Sequence, residues 1–214
     1  MTRWIVAVWS AGFALGMLSS VGCQATHVGD PCTPEQEYDP SFLGFSKDEV
    51  SVESKSFQCQ TRLCLVDHFQ GRVSCPYGQP ADGGAYSPAG PCQTPGIDKP
   101  VTGRDALGNL VDPIKQAAVL PQCSKRTAVD AVYCSCRCAN INGQTNDGSN
   151  YCKCPDGFAC TQLVGSIGAT DQGLTGAYCV KTGAQYDPLA SCTGAATCQP
   201  APANCGAAQG VGGH

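Results

Sequence analysis

Aliphatic and phenylalanine side chains are scarce in this chain. From Cys23 onward, Leu, Ile, Val and Phe make up about 16% of the residues, below the roughly 20% at which an uncrosslinked chain tends toward disorder. A conventional hydrophobic core is therefore excluded as the main source of stability. Positive charge is also short, with 13 Lys+Arg against 17 Asp+Glu and no basic patch. That balance argues against nucleic acid and anionic headgroups as partners. No long stretch carries the apolar periodicity of an amphipathic helix, and Asp112 to Leu120 is the best short candidate. G-x-S-x-G, H-E-x-x-H and phosphate-cradling glycine loops are absent, so no familiar catalytic constellation is available. No C-x-x-C occurs either, which weakens a thiol-exchange enzyme.

Cysteine is what the chain has in quantity: 17 in 214 residues. Cys23 stands apart, directly after an apolar N-terminal run. The other sixteen are Cys32, Cys59, Cys64, Cys75, Cys92, Cys123, Cys134, Cys136, Cys138, Cys152, Cys154, Cys160, Cys179, Cys192, Cys198 and Cys205. An even set at this density reads as a disulfide scaffold. Each bridge contributes roughly 2–4 kcal/mol, largely by restricting the unfolded chain. The expected fold class is small, disulfide-rich, mostly β and irregular. Short antiparallel strands and hairpins should dominate, with little helix outside the signal peptide.

At the N-terminus, Arg3 supplies a positive charge and Trp4 to Leu18 an apolar run, followed by Ser19, Ser20, Val21 and Gly22. The run is short for a membrane span, which needs about 20 residues, and has signal-peptide architecture. Ser20-Val21-Gly22-Cys23 resembles a bacterial lipobox. The resemblance implies cleavage before Cys23 and acylation of that cysteine, although Ser20 stands where a lipobox usually has Leu. Ordinary signal cleavage after Ala25 is the alternative. Gln24 is not the Asp that retains enterobacterial lipoproteins at the inner membrane, so by analogy the anchor sits in the outer membrane. Multiple acyl chains give stable attachment where a single one is marginal.

Composition and cysteine spacing divide the chain into a signal peptide (1–22), a tether (23–31), an N-terminal cysteine module (32–80), a Pro/Gly-rich linker or surface loop (81–121), a central cysteine-rich module (122–182) and a low-complexity tail (183–214). Cys92 has no partner within its own stretch, and the tail holds an odd number. With all sixteen oxidised, at least one bridge leaves each of those segments, and independent beads are excluded.

Alternation predicts a strand over Val129 to Cys138, with Val132, Cys134, Cys136 and Cys138 on one face. Sulfurs at i and i+2 stand apart, so they must reach to another element, for which Tyr151 to Cys154 is the obvious candidate. Gly176 to Lys181 is a possible third strand. Leu63 to Asp67 and Arg72 to Pro76 suggest a hairpin, and Val50 to Phe57 a neighbour. Residues 139–150 and 156–175 read as loops.

The run Cys152-x-Cys154-Pro155-Asp156-Gly157-Phe158-x-Cys160 resembles the second half of an EGF-like module, although Cys160 arrives early for that pattern. Over the whole mature chain, Gly29-Asp30-Pro31-Cys32, Phe57 to Val66, Gly71 to Gly78 and Tyr133 to Cys138 resemble a group of cysteine-rich predicted lipoproteins of myxobacteria. The resemblance implies an envelope location and no known activity.

Three site readings compete with bland ones. Cys134, Cys136, Cys138, Cys152 and Cys154 offer thiolates to zinc, with His68 four residues after Cys64, but an exported chain favours disulfides over metal. Asn140, Asn142, Asn146, Asp147 and Asp156 offer loop oxygens to calcium, but Asn-Gly and Asp-Gly already have a turn explanation. Cys64, Asp67 and His68 suggest a nucleophile and base, unless Cys64 is bridged. His27 and His214 read as surface residues. No catalytic residue, metal or cofactor is assigned.

The expectation is a non-enzymatic, lipid-anchored envelope protein, on the periplasmic or surface face of the outer membrane or else secreted. Its partners would be the membrane, through the anchor, and a protein or glycan. The alternative is a metal-binding or thiol-redox protein using the Cys134–Cys154 cluster. Intact mass with alkylation separates the two. The scaffold reading expects no labelling before reduction, sixteen labels after it, and loss of the near-UV circular dichroism on reduction; thiols that label in the native protein would favour the alternative.

Overall fold

The computed structural model describes residues 27–80, 90–103, 107–109, 118–122, 126–164 and 174–186. These residues form a 3₁₀ turn η1 (Glu35–Tyr38), strands β1 (Val50–Glu53) and β2 (Leu63–Asp67), one helical turn α1 (Ala128–Ala131), and strands β3 (Val132–Ser135), β4 (Arg137–Ala139), β5 (Phe158–Val164) and β6 (Gly176–Lys181). The fold is thus small, disulfide-rich and mostly β.

Two antiparallel three-stranded sheets carry the architecture, ordered β1-β2-β3 and β4-β6-β5. Strand alternation sorts their side chains. On β2 and β3, Cys64, Val66, Val132 and Cys134 face one cluster with Cys32, Cys59, Phe45 and Phe69. Leu65 and Tyr133 face the other way and pack with Tyr178, Val180 and Val164 of the second sheet. The far side of the second sheet is covered by Cys136, Cys138, Ala139, Ala177 and Cys179, with Cys152 and Cys154 lying against them. Two sheets therefore separate three small cores, and sulfur dominates the outermost of these.

Tyr133 is the hinge pin of the central layer. It is fully buried, meets Phe158 edge-on at 5.7 Å, and accepts a hydrogen bond from the Lys181 N–H at 3.1 Å. Burial pushes its hydroxyl up to about 12.

The expected single strand over Val129 to Cys138 is corrected in two places. Its first part is helical because Thr127 caps α1. The Asp130 carboxylate accepts from the Thr127 N–H at 3.0 Å and from its hydroxyl at 2.6 Å, and the Asp130 N–H donates back to the Thr127 carbonyl at 3.0 Å, which fixes the helix start. The remainder breaks at Cys136, where the chain leaves the first sheet and enters the second. The Ser135 hydroxyl donates to the Cys179 carbonyl at 2.8 Å, and the Cys179 N–H donates to the Cys136 carbonyl at 3.1 Å. These bonds fix the crossing.

Other expectations shift in the same way. β1 covers only Val50–Glu53 of the longer candidate, and β2 pairs with β1 and β3 and not with Arg72 to Pro76. Arg72 instead closes a tight turn against Cys75. Tyr151 to Cys154 is not a strand, although the Cys152 N–H donates to the Arg137 carbonyl at 3.0 Å. Phe158–Val164, read as loop, is β5 and pairs with β6. Of the short helix candidate, residues 112–117 lie outside the described residues, and Val119 forms an antiparallel bridge to Gln79. Within the Pro/Gly-rich stretch, Val101 and Val119 are buried with Cys75 and Cys92 in a cluster of their own.

Two arginines replace missing apolar core. Arg72 is fully buried. Its guanidinium donates to the carbonyls of Phe42 at 2.7 Å and Asp39 at 3.2 Å, and also to that of Glu37. The Glu37 carboxylate returns the link by accepting from the N–H groups of Val73 at 2.5 Å and Ser74 at 2.9 Å. Gly71 beside it sits at φ +84°, where a Cβ would lie 2.2 Å from the Leu120 carbonyl oxygen; only glycine fits there. Arg126 pairs with buried Asp67 at 2.8 Å and also donates to the Asp67 carbonyl. This second pair joins the end of β2 to the start of α1.

Removing one partner of a buried pair strands the other charge, at a cost of about 3–5 kcal/mol. Asp67→Ala should therefore lower the unfolding midpoint sharply, and Asp67→Ala combined with Arg126→Met should recover much of the loss. Denaturant titration measures both. Equal losses in the single and double variants would refute the pairing as a stability element.

Candidate functional site

Three disulfides share the outer face of the β4-β6-β5 sheet: Cys136–Cys152, Cys138–Cys160 and Cys154–Cys179. The sheet itself assembles them. Cys138 lies on β4, Cys179 on the central strand β6, and Cys160 opposite Cys179 on β5. Cys136 sits at the crossing just before β4, and segment 152–154 crosses this face and delivers the other two sulfurs, those of Cys152 and Cys154. Only Cys136 bonds as expected to the Tyr151 to Cys154 segment along with Cys154's own partner Cys179; Cys138 turns to β5, and Cys134 bonds to Cys59 across the first sheet. Cys32–Cys64 and Cys75–Cys92 complete the described set. Cys92 thus leaves its own stretch, as parity requires. Cys23, Cys123, Cys192, Cys198 and Cys205 lie outside the described residues. Six bridges make this a disulfide-stabilised protein of the extracellular type.

The sulfurs lie close beyond their bonded partners. Cys179 Sγ is 3.6 Å from both Cys136 Sγ and Cys152 Sγ. The sulfurs of Cys138, Cys154 and Cys160 all lie within 4.8 Å of one another, as do those of Cys32, Cys59 and Cys134. Such groupings match metal-ligand distances, but every one of these residues is bridged, and a disulfide sulfur has no thiolate charge to offer zinc. Accessibility grades across the array: Cys160 is exposed, Cys152 and Cys154 are half-buried, and Cys136, Cys138 and Cys179 are buried.

The Cys64, Asp67 and His68 grouping does not assemble a nucleophile and base. Cys64 is bonded to Cys32 and fully buried. Asp67 is committed to Arg126. His68 Nδ1 lies 2.8 Å from the Lys47 carbonyl, and its ring stacks on Tyr186 at 4.3 Å.

The polar loop after β4 is built around two side chains. Asn140 Oδ1 accepts from the N–H groups of Asn142 at 2.9 Å and Gln144 at 2.8 Å. Asp147 accepts from Asn140 Nδ2 at 3.0 Å, the Tyr151 hydroxyl at 2.6 Å and the Ser149 N–H at 3.0 Å. The Asn140 and Asp147 oxygens weighed for calcium are thus engaged in shaping the turn; Asn142, Asn146 and Asp156 are exposed. Residues 141–150 are all exposed, while disulfides at Cys138 and Cys152 secure both flanks. The Tyr151 hydrogen bond, ahead of those from Ser149 and Asn140, holds the Asp147 carboxyl well below the usual carboxylate range. The same bond raises the Tyr151 phenol.

A surface cleft of about 340 Å³ lies between η1 and β1, lined by Glu35, Tyr38, Glu53 and Phe57 among others. Phe57 is 86% exposed, with the Arg62 guanidinium 4.3 Å above its ring. Burial raises the Glu53 carboxyl, and the Glu35 N–H donates to it at 2.9 Å. Sequence reading did not single out this cleft, because it depends on η1 meeting β1 and not on any local motif. No family model, curated protein or solved structure matches this chain.

Asp147 should govern its loop over a wide pH range. Its folded pKa is depressed, so its contribution is present above the ordinary carboxylate value and lost only as pH falls through the folded value, far into acid. Asp147→Asn should remove the cause that raises Tyr151, so that the Tyr151 phenol ionises at lower pH than in the parent. Alkaline titration followed by the Tyr151 ring resonances measures this, and an unmoved midpoint would discount the bond.

Proposed function

We propose that this chain is a non-enzymatic, disulfide-stapled lipoprotein of the bacterial cell envelope that binds a protein or glycan partner through the polar loop at 140–150. The observation that carries this reading is the loop itself. Ten consecutive residues are exposed, yet the backbone is fixed by Asn140 and Asp147 and the flanks by disulfides. A surface whose order is prepaid loses less entropy on binding. Side-chain amides and hydroxyls in this segment offer both donors and acceptors, and the Asp147 carboxylate accepts, a set that suits hydroxyl-rich or polar partners. The acidic balance of the chain disfavours nucleic acid.

The envelope assignment rests on the apolar run ending at Cys23 and on the density of disulfides, which form in oxidising compartments. Acylation at Cys23 would place the frame at the outer membrane, on its periplasmic or outer face. A metal-binding or thiol-redox role is the second reading; it requires the bridges among Cys136, Cys152 and Cys179 and among Cys138, Cys154 and Cys160 to open to thiols, whose sulfurs already lie within 4.8 Å of one another in each group.

The test uses full-length protein recovered from bacterial membranes. An acylated N-terminal Cys23 in the intact mass is expected. Retention on isolated envelope glycan or on surface-protein fractions is also expected, and a variant carrying Asn140→Ala and Asp147→Ala should lose it. A soluble, unacylated product, or retention indifferent to both substitutions, would contradict the anchor or the loop respectively. Bound zinc in the native protein would support the second reading.

A further inference from the structure

We propose that the sulfur face of the β4-β6-β5 sheet is a thiol–disulfide exchange site, where an external dithiol attacks exposed Cys160 and the resulting thiolate is relayed inward to Cys136. Three observations support it. The three disulfides are contiguous, with 3.6 Å between non-bonded sulfurs at Cys179 and both members of the Cys136–Cys152 bond. Cys154 Sγ lies within 4.8 Å of both sulfurs of Cys138–Cys160. Accessibility falls from Cys160 at the surface to Cys179 and Cys136 inside, and access decides which sulfur is attacked first.

The chemistry closes without a further reactant. One thiolate of the dithiol attacks Cys160 Sγ. The Cys138–Cys160 bond breaks, its electron pair leaves on Cys138 Sγ, and a mixed disulfide forms at Cys160. The second thiol of the reductant resolves this, leaving as an internal disulfide and freeing Cys160 as a thiol. The Cys138 thiolate then attacks Cys154 Sγ, forming Cys138–Cys154 and expelling Cys179 as thiolate. Cys179 attacks Cys152 Sγ, forming Cys152–Cys179 and expelling Cys136, which takes up a proton.

Across the sequence one dithiol is oxidised and one protein disulfide is reduced by two electrons. The last two steps are isomerisations that consume none. The reduced pair therefore ends as Cys160 and Cys136, although these two were never bonded to each other. Both clamps on the 140–150 loop change partner in the process, so the redox state of the surroundings reaches that loop whatever the loop binds.

The experiment is a pulse of limiting dithiothreitol on the native full-length protein, followed by acid quench, alkylation at low pH and peptide mapping. Label should appear first at Cys138 and Cys160. It should then move from Cys138 to Cys136, with loss of the native Cys154–Cys179 and Cys136–Cys152 peptides and gain of Cys138–Cys154 and Cys152–Cys179 peptides. A second arm uses Cys160→Ser, which leaves Cys138 as a built-in thiol. Without any reductant, label in this variant should again reach Cys136. Label confined to Cys138 and Cys160 at every time would overturn the relay. So would simultaneous labelling of Cys32, Cys64, Cys59 and Cys134, which would indicate reduction of the whole protein. Should Cys160→Ser fail to fold, the pulse on the parent protein decides alone.

Discussion

Cys64 faces Cys134 across β2 and β3, and Cys160 faces Cys179 across β5 and β6, yet neither facing pair is bonded. Directly opposed residues on antiparallel strands hold their Cβ atoms about 4.5–5.5 Å apart. A disulfide prefers about 3.5–4.5 Å. Each opposed cysteine therefore bonds elsewhere, three of them to segments that lie over the sheets and Cys160 across β6 to Cys138 on β4 of the same sheet. Cys64 takes Cys32 and Cys134 takes Cys59 on the first sheet; Cys160 takes Cys138 and Cys179 takes Cys154 on the second. Two adjacent sulfurs on one face thus pin two separate pieces of chain, and the same arrangement appears twice. The strands are held mainly by their ladders, with Cys138–Cys160 as a covalent tie between β4 and β5, while the other described bridges fix segments outside the strand pairs.

This division explains how so few aliphatic side chains suffice. Among the described residues, the only core cluster without a cysteine lies between the sheets, around Leu65, Tyr133 and Tyr178. Elsewhere sulfur and buried charge fill the role. Arg72 and Glu37 tie η1 to the turn after β2 through main-chain groups on both sides. Arg126 ties the end of β2 to α1. Burying such charges is costly, and it is tolerable here because nearly every donor meets a carbonyl or carboxylate.

The class of fold was legible in the sequence, because cysteine density and aliphatic scarcity leave little else. β2 and β6 were legible too, since Leu63–Asp67 and Gly176–Lys181 carry dense apolar runs between turn signals. The start of α1 was readable in principle from Thr127 and Asp130, a capping spacing that the following alternation obscured. The crossing at Cys136 was not readable, because β3 and β4 continue one alternating pattern while serving two different sheets. Disulfide partners were beyond reach for the same reason: they depend on which segments are laid over a sheet, not on spacing. β5 was hidden by its adjacent polar residues, Thr161 on one face and Gln162 on the other, which interrupt the apolar alternation and resemble a loop. As for the candidate site, the sequence indicated the polar loop and the cysteine cluster, but the gradient from exposed Cys160 to buried Cys179 exists only once the sheet is formed.

The segment ahead of Cys32 lies along the free edge of β3, with the Gly29 N–H donating to the Cys134 carbonyl at 2.8 Å and the Cys134 N–H to the Asp30 carbonyl at 2.7 Å. Tension applied to the chain from that side would first peel these few hydrogen bonds. It would then meet Cys32–Cys64 and pass covalently into β2, the middle strand of its sheet. From there Cys59–Cys134 carries the load into β3, and the peptide chain through Cys136 delivers it to the second sheet. A pull therefore ends on covalent bonds within a few residues, and the folded part behaves as a stiff element with little slack to give.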